Sequence, residues 1–508
     1  MKIPRSLLLV LCCVSLCACD IERTPAAATK PNIILILTDD MTVGDLAFMP
    51  KTKMLIEDQG ASFSQFLISM PLCCPSRTSI LRGQYSHNTK ILGNEPPAGG
   101  FERFYQLGLE GSTIAVWLQN AGYRTALIGK YLNGYPAEAS RTYIPPGWTE
   151  WYSSPGDINY NDAAYTEFNY TLNENGALVK YGDAPQDYGT DVYAARAADF
   201  IQRSADAGQP FFAYIATYAP HNPSTPAPRD ADKFADLQLP HSPSFNEADT
   251  SDKSRFFADD PLLTDTDIEL LQQKYQLRIR SLQAVDDLVE TIVQKLQATD
   301  QLDHTYIFFA SDNGFHLGEH RLPAGKDTAF EEDIRVPLLV RGPGVQPGKT
   351  VQQITGNIDL APTFAELAGI QPPDFVDGRS LVPLLQGRFI WGWRKAYLLE
   401  RGVSGENGFV TDSAITLGTP RLTGEREPVD SIYDYKAGGS FRGLRTDDYT
   451  YVEFQNGDVE LYDLRADPYQ LENIARTAGS ALLDKFHKWL SELENCAENS
   501  CRELDANP

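Results

Sequence analysis

Residues Asn32-Ile-Ile-Leu-Ile-Leu37 form a continuous, β-branched-rich apolar run that stops abruptly at Thr38-Asp39-Asp40. Such a run is expected of a strand buried on both faces of a parallel sheet. The same grammar returns at Thr305-Tyr-Ile-Phe-Phe-Ala310, which ends in Ser311-Asp312-Asn313-Gly314. Further strands are predicted over residues 125–128, before Gly129-Lys130, and over 211–216, before Pro220-His221. Helix-like segments lie between them, at residues 112–121, 191–205 and 267–296. Strands alternating with helices predict an α/β fold with a mostly parallel sheet flanked by helices. Each polar cluster follows the C-terminal end of a strand, the edge where open α/β sheets place their sites.

Residues 168–172 and 177–180, joined through Asn175-Gly176, read as a hairpin. The Pro- and Asp-rich stretch 223–260 reads as loops over the site. After Gly387 the pattern changes to short strands, at 449–454 and 459–462, and a closing helix over 481–493. With 508 residues the chain exceeds the size at which one core usually keeps growing. The expected division is therefore a catalytic α/β domain at 31–387 and a smaller C-terminal α+β domain at 388–508.

The N-terminus has a different character. Lys2 and Arg5 precede an apolar run, residues 7–16, too short to span a membrane but suited to a signal peptide. Leu16-Cys17-Ala18-Cys19 resembles the bacterial lipobox, although Cys17 is unusual there; a plain secretory signal cut nearby is the alternative. The lipoprotein reading makes residues 1–19 the signal peptide, Cys19 the lipidated residue and 20–30 a tether, and it places the protein in the periplasm or at the cell surface. Of eight cysteines, Cys12, Cys13, Cys17 and Cys19 fall in this region. Export permits a disulfide between Cys496 and Cys501, which flank a short polar loop. A net charge of −24 argues against a nucleic-acid-binding surface.

Cys73 and Cys74 are adjacent and open the segment Cys73-Cys74-Pro75-Ser76-Arg77, followed by a helix-like stretch. This segment resembles the C-x-P-S-R signature of the formylglycine-dependent sulfatases, and the resemblance extends from Pro31 to about Ala475. It implies an alkaline-phosphatase-like core, oxidation of Cys73 to formylglycine (3-oxoalanine) by a separate generating enzyme, and a divalent metal. One hydroxyl of the hydrated aldehyde would attack sulfur; loss of the second hydroxyl's proton would then expel sulfate, which a serine could not do. Thr-Asp-Asp and Ser-Asp-Asn-Gly match the family's metal ligands, making Asp39, Asp40, Asp312, Asn313 and residue 73 the implied set. Hard oxygen ligands suit Ca²⁺, or secondarily Mg²⁺, rather than Zn²⁺. Arg77 would hold the formylglycine hydroxyl. Gly129-Lys130-Tyr131, Pro220-His221 and Gly325-Lys326 resemble the family's sulfate clamp, with His221 or Lys326 protonating the leaving group.

One departure stands out. Many sulfatases have Gly-Lys-Trp-His where this chain has Lys130-Tyr131-Leu132-Asn133, so Asn133 or a more distant histidine is left as the base for sulfate release. With Ser244-Phe-Asn246, Asp312-Asn-Gly-Phe-His316 and Val340-Arg-Gly-Pro-Gly344, the segment resembles the N-acetylglucosamine-6-sulfatases and extracellular heparan endosulfatases. That likeness implies a 6-O-sulfated N-acetylglucosamine or related polysaccharide substrate, with Asn133, His316 and His320 as candidate contacts. Two alternatives remain from the residues: a phosphonate or phosphodiester hydrolase of the same superfamily, and an inactive surface lipoprotein that binds sulfated glycans.

Overall fold

The computed structural model describes Met1 and residues 30–156, 163–388, 390–402 and 439–507; the rest of the expected signal peptide, Cys19 and all of the tether except Lys30 lie outside the described residues. In chain order the first strands are β1 (Asn32–Thr38), β2 (Ala61–Phe63), β3 (Phe66–Leu67), β4 (Arg124–Gly129), β5 (Glu150–Ser153), β6 (Thr171–Glu174), β7 (Ala177–Lys180) and β8 (Phe211–Ala216). They are followed by β9 (Thr305–Ser311), β10 (Leu338–Arg341), β11 (Lys349–Val351) and β12 (Thr355–Gly356). Ten of these form one sheet in the order β11-β2-β10-β9-β1-β8-β4-β5-β6-β7, while β3 and β12 pair separately.

The five central strands, β9-β1-β8-β4-β5, are parallel, and β10 and β6 run antiparallel beside them. Every residue of β1 is buried. Alternate side chains divide the core: Ile33, Leu35 and Leu37 pack with residues of the Cys73–Arg82, Ile114–Asn120 and Leu360–Leu367 helices. Ile34 and Ile36 face the Gly189–Asp206 and Asp265–Ala298 helices on the other side. Each buried Ile or Leu contributes about 1.5–3 kcal/mol relative to an exposed one, which is why a run without polar interruption belongs here. β6 and β7 form the expected hairpin, with Asn175 and Gly176 both at positive φ, as a tight primed turn requires.

Strands β13 (Ala396–Arg401), β14 (Phe441–Thr446), β15 (Tyr449–Phe454) and β16 (Val459–Asp463) form a second, antiparallel sheet. The Ser480–Leu493 helix covers it through Phe486, Trp489 and Leu490. That core also takes in Leu67, Tyr85, Phe330, Ile354 and Ile358 from the first part of the chain. Cys496 and Cys501 are joined by a disulfide just beyond the helix. No helix among the described residues is long and apolar enough to cross a membrane.

Candidate active site

In-register pairing of β1 with β9 carries Thr38 against Ser311, so the residues that follow both strands emerge side by side. Asp39, Asp40 and Asp312 are fully buried, or nearly so, and each offers an oxygen within 4.8 Å of the others. Asn313 donates from Nδ2 to Asp40 Oδ1 at 2.7 Å. The Cys73–Arg82 helix begins at this point, and Leu72 supplies no side-chain cap to its first turn. The positive end of the helix therefore faces the carboxylates. Cys73 Sγ lies 3.6 Å from Asp39 Oδ1 and accepts from Lys326 Nζ at 2.8 Å.

Cations balance the three carboxylates. Arg77 donates from Nε to Asp312 Oδ2 at 2.8 Å and from Nη1 to the Lys130 carbonyl at 3.0 Å. Its buried Nη2 has no hydrogen-bond partner, although Asp39 Oδ2 lies 3.8 Å away. Lys130 pairs with Asp39, and Lys326 with Asp40. Burial opposes charge on Asp39 and Asp40, but Lys130 and Arg77 at the first and Lys326 at the second outweigh it and hold both carboxyls below their ordinary range. Burial and the neighbouring Asp39 charge push Asp312 up to about 6. Burial and Asp39 likewise push the Cys73 thiol up to about 11, so an unmodified thiol here stays protonated at neutral pH and is a poor nucleophile.

His221 follows β8 and places Nε2 3.9 Å from Asp40 Oδ2. Its Nδ1 donates to the Asn222 carbonyl at 2.7 Å, which leaves Nε2 as the nitrogen facing the cluster. Burial pushes its pKa down to about 4. Tyr165, which sequence reasoning missed, bridges two site residues: its ring lies 4.9 Å from that of His221 and 5.1 Å from Lys130 Nζ. No motif marks it.

The remaining candidates stand apart. Asn133 is buried, and its carbonyl accepts from the Phe101 N–H at 2.7 Å beside the Cys74 side of the helix. His316 sits with Nδ1 3.0 Å from both Asp333 oxygens. His320, the other candidate sugar contact, is 0 % exposed, its ring stacked on Phe330 at 3.8 Å and its Nδ1 2.8 Å from Glu247.

Residues 31–370 match the family model described as Sulfatase. This chain belongs to the sulfatase family. It is 36 % identical to human N-acetylglucosamine-6-sulfatase over 490 residues, covering 94 % of this chain and 87 % of the relative. It is 39 % identical over 387 residues to the extracellular sulfatase SULF-1 homolog of Drosophila melanogaster, covering 75 % of this chain and 34 % of the longer relative. The sulfatase fold is matched at a TM-score of 0.71 by a structure solved in complex with its substrate D-glucosamine-2-N,6-O-disulfate, at 22 % identity and covering 94 % and 99 % of the two chains. This sulfatase is accordingly a sulfuric ester hydrolase, with an alkaline-phosphatase-like core.

Proposed function

We propose that this sulfatase removes 6-O-sulfate from N-acetylglucosamine or a related sulfated polysaccharide, using a formylglycine formed at Cys73 and a calcium ion. The observation that carries the reading is the convergence of residue 73 with three carboxylates and three cations in one buried cluster. The substrate class rests on the extended likeness to N-acetylglucosamine-6-sulfatase. Asp39, Asp40, Asp312 and Asn313 fit a hard divalent ion, because all four side chains carry an oxygen and none adds a soft donor. Once bound, such an ion supplies charge stabilisation to a sulfate oxygen and acidifies the attacking hydroxyl. A hydrated aldehyde at residue 73 offers one hydroxyl for attack and a second whose deprotonation lets sulfate depart.

The chain's own side chains do the rest. Arg77 holds the hydroxyl at residue 73, anchored by Asp312 from below. Lys130 and Lys326 clamp the anion as charge develops on the bridging oxygen. Lys326 Nζ, which carries protons, or His221 Nε2, once it has taken one up, passes a proton to the leaving alkoxide. Asn133 or a more distant histidine remains the candidate for the release step, and His316 for contact with the sugar. The proposal includes export, lipid anchoring at Cys19, maturation by a formylglycine-generating enzyme, and a division at residue 387. Peptide mass spectrometry on residue 73 from the native host tests it, with an expected loss of about 18 Da set by thiol-to-aldehyde chemistry. The matured protein should desulfate N-acetylglucosamine-6-sulfate in preference to cleaving phosphonate esters, and Cys73→Ala should not turn over. Unmodified Cys73, or equal turnover by Cys73→Ala, overturns the mechanism.

A further inference from the structure

Asp40 is held in the left-handed backbone region, at φ 71°. Few residues other than glycine adopt that conformation without support, although aspartate tolerates it better than most. Here the peptide is pinned from both sides. The Asp40 N–H donates to Asp312 Oδ1 at 3.2 Å, and its carbonyl accepts from Arg278 Nη2 at 2.5 Å. Arg278 comes from the middle of the long Asp265–Ala298 helix and is 0 % exposed.

The same guanidinium reaches the other two loops of the site. Nη1 donates to the Pro220 carbonyl at 3.4 Å, one residue before His221. The guanidinium carbon lies 4.3 Å from the centroid of Phe315, one residue before His316. Asp45 Oδ2, at 3.4 Å from Nη2, supplies a countercharge, while Nε has no hydrogen-bond partner. Burying a guanidinium with one donor unmet is costly, and an apolar side chain of similar volume would fill the space at least as well. Packing alone therefore does not account for arginine. What an apolar side chain lacks is the planar fork that ties two carbonyls and an aromatic face at once, and a lysine ammonium lacks it too.

We infer that Arg278 is a positioning residue that locks the left-handed Asp40 peptide and registers the Asp40, His221 and His316 loops against one another. It touches none of the reacting atoms; it acts through Asp40, whose carboxylate it keeps turned toward Asn313 and Lys326. This rests on the proposed assignment of Asp40 as a ligand, so the test separates the two. The full-length matured protein is stripped of metal and titrated with calcium chloride while its melting midpoint is followed, and kcat and KM are measured on a 6-O-sulfated glucosamine.

Arg278→Met should raise the half-saturating calcium concentration at least tenfold and lower kcat at least tenfold, with KM within threefold of the parent. Arg278→Lys should be impaired in the same sense but less. Arg280→Met, on the same helix, should leave all three quantities within twofold. If Arg278→Met does not fold, Arg278→Lys decides alone. A folded variant, Met or Lys, with calcium response and kcat within twofold of the parent overturns the inference. A parent that neither responds to calcium nor turns over overturns the site assignment, and this inference with it.

Discussion

Three buried carboxylates at the head of the sheet persist as charged groups because three cations and a helix N-terminus answer them. Lys326 is the cation nearest to residue 73, 2.8 Å from Sγ while also paired with Asp40. Its removal strips charge from where the transition state gains it, so Lys326→Met is expected to lower kcat by about 10²-fold or more, with a smaller change in KM. Steady-state kinetics on a sulfated glucosamine checks this, and a change confined to KM would move Lys326 out of the chemistry. At this scale the sequence was informative only where chemistry imposes a motif. Cys73, Arg77 and the Asp-bearing strand ends were legible because few other roles call for those residue types there. Arg278 and Tyr165 were not, because an arginine on a long helix reads as a solvated side chain and a tyrosine in a loop as ordinary packing.

The Cys73–Arg82 helix shows how an element transmits such demands. It ends at Gly83, in the left-handed region at φ 70°, where a Cβ would lie 2.9 Å from Val376 Cγ1. Gly83→Ala should therefore destabilise the protein by about 1–3 kcal/mol, read as a lower urea midpoint, because an alanine is strained there even before it meets Val376. Just downstream, His87 places Nδ1 2.7 Å from Glu400 and Nε2 2.8 Å from the Cys496 carbonyl. Both ring nitrogens meet acceptors, so the imidazole carries both protons. Burial opposes that charge, but Glu400 outweighs it and the pKa rises to about 9, above the usual 6.5. A raised folded-state pKa adds stability that is complete below about pH 6.5 and is lost as pH climbs through about 9. The stability difference between parent and His87→Gln, from urea melts, should thus shrink from pH 6.5 to 9.5. A difference that grows over that range would show that His87 is held neutral.

Across the whole molecule, the strands buried on both faces were the readable part. β1, β4, β8 and β9 fall where apolar runs stand, since the middle of a central parallel strand is buried on both faces and polar side chains such as Asn32, Thr38, Thr125, Thr305 and Ser311 keep toward its ends. The short strands β2, β10 and β11 beyond β9 were not read, because three or four residues carry no periodic signal. The second sheet was foreseen as a separate region, yet its core is completed by Leu67, Tyr85, Phe330, Ile354 and Ile358 from the larger part. The two parts should therefore unfold together. Calorimetry is expected to give one transition, and a chain cut after residue 387 should expose that apolar face and aggregate; two resolved transitions would argue for an independent C-terminal domain.

The depth of Cys73 has a consequence in time. The residue is 1 % exposed in the folded chain, beneath strands that pair residues more than 250 positions apart. An oxidising enzyme cannot thread its own active site into that interior. If residue 73 matures to an aldehyde, it does so while the segment is still extended, and maturation and folding run as a race. Long-range parallel pairing slows the second runner. Faster folding would then be no improvement for this protein, since a chain that closed early would be well formed, stable and permanently inert.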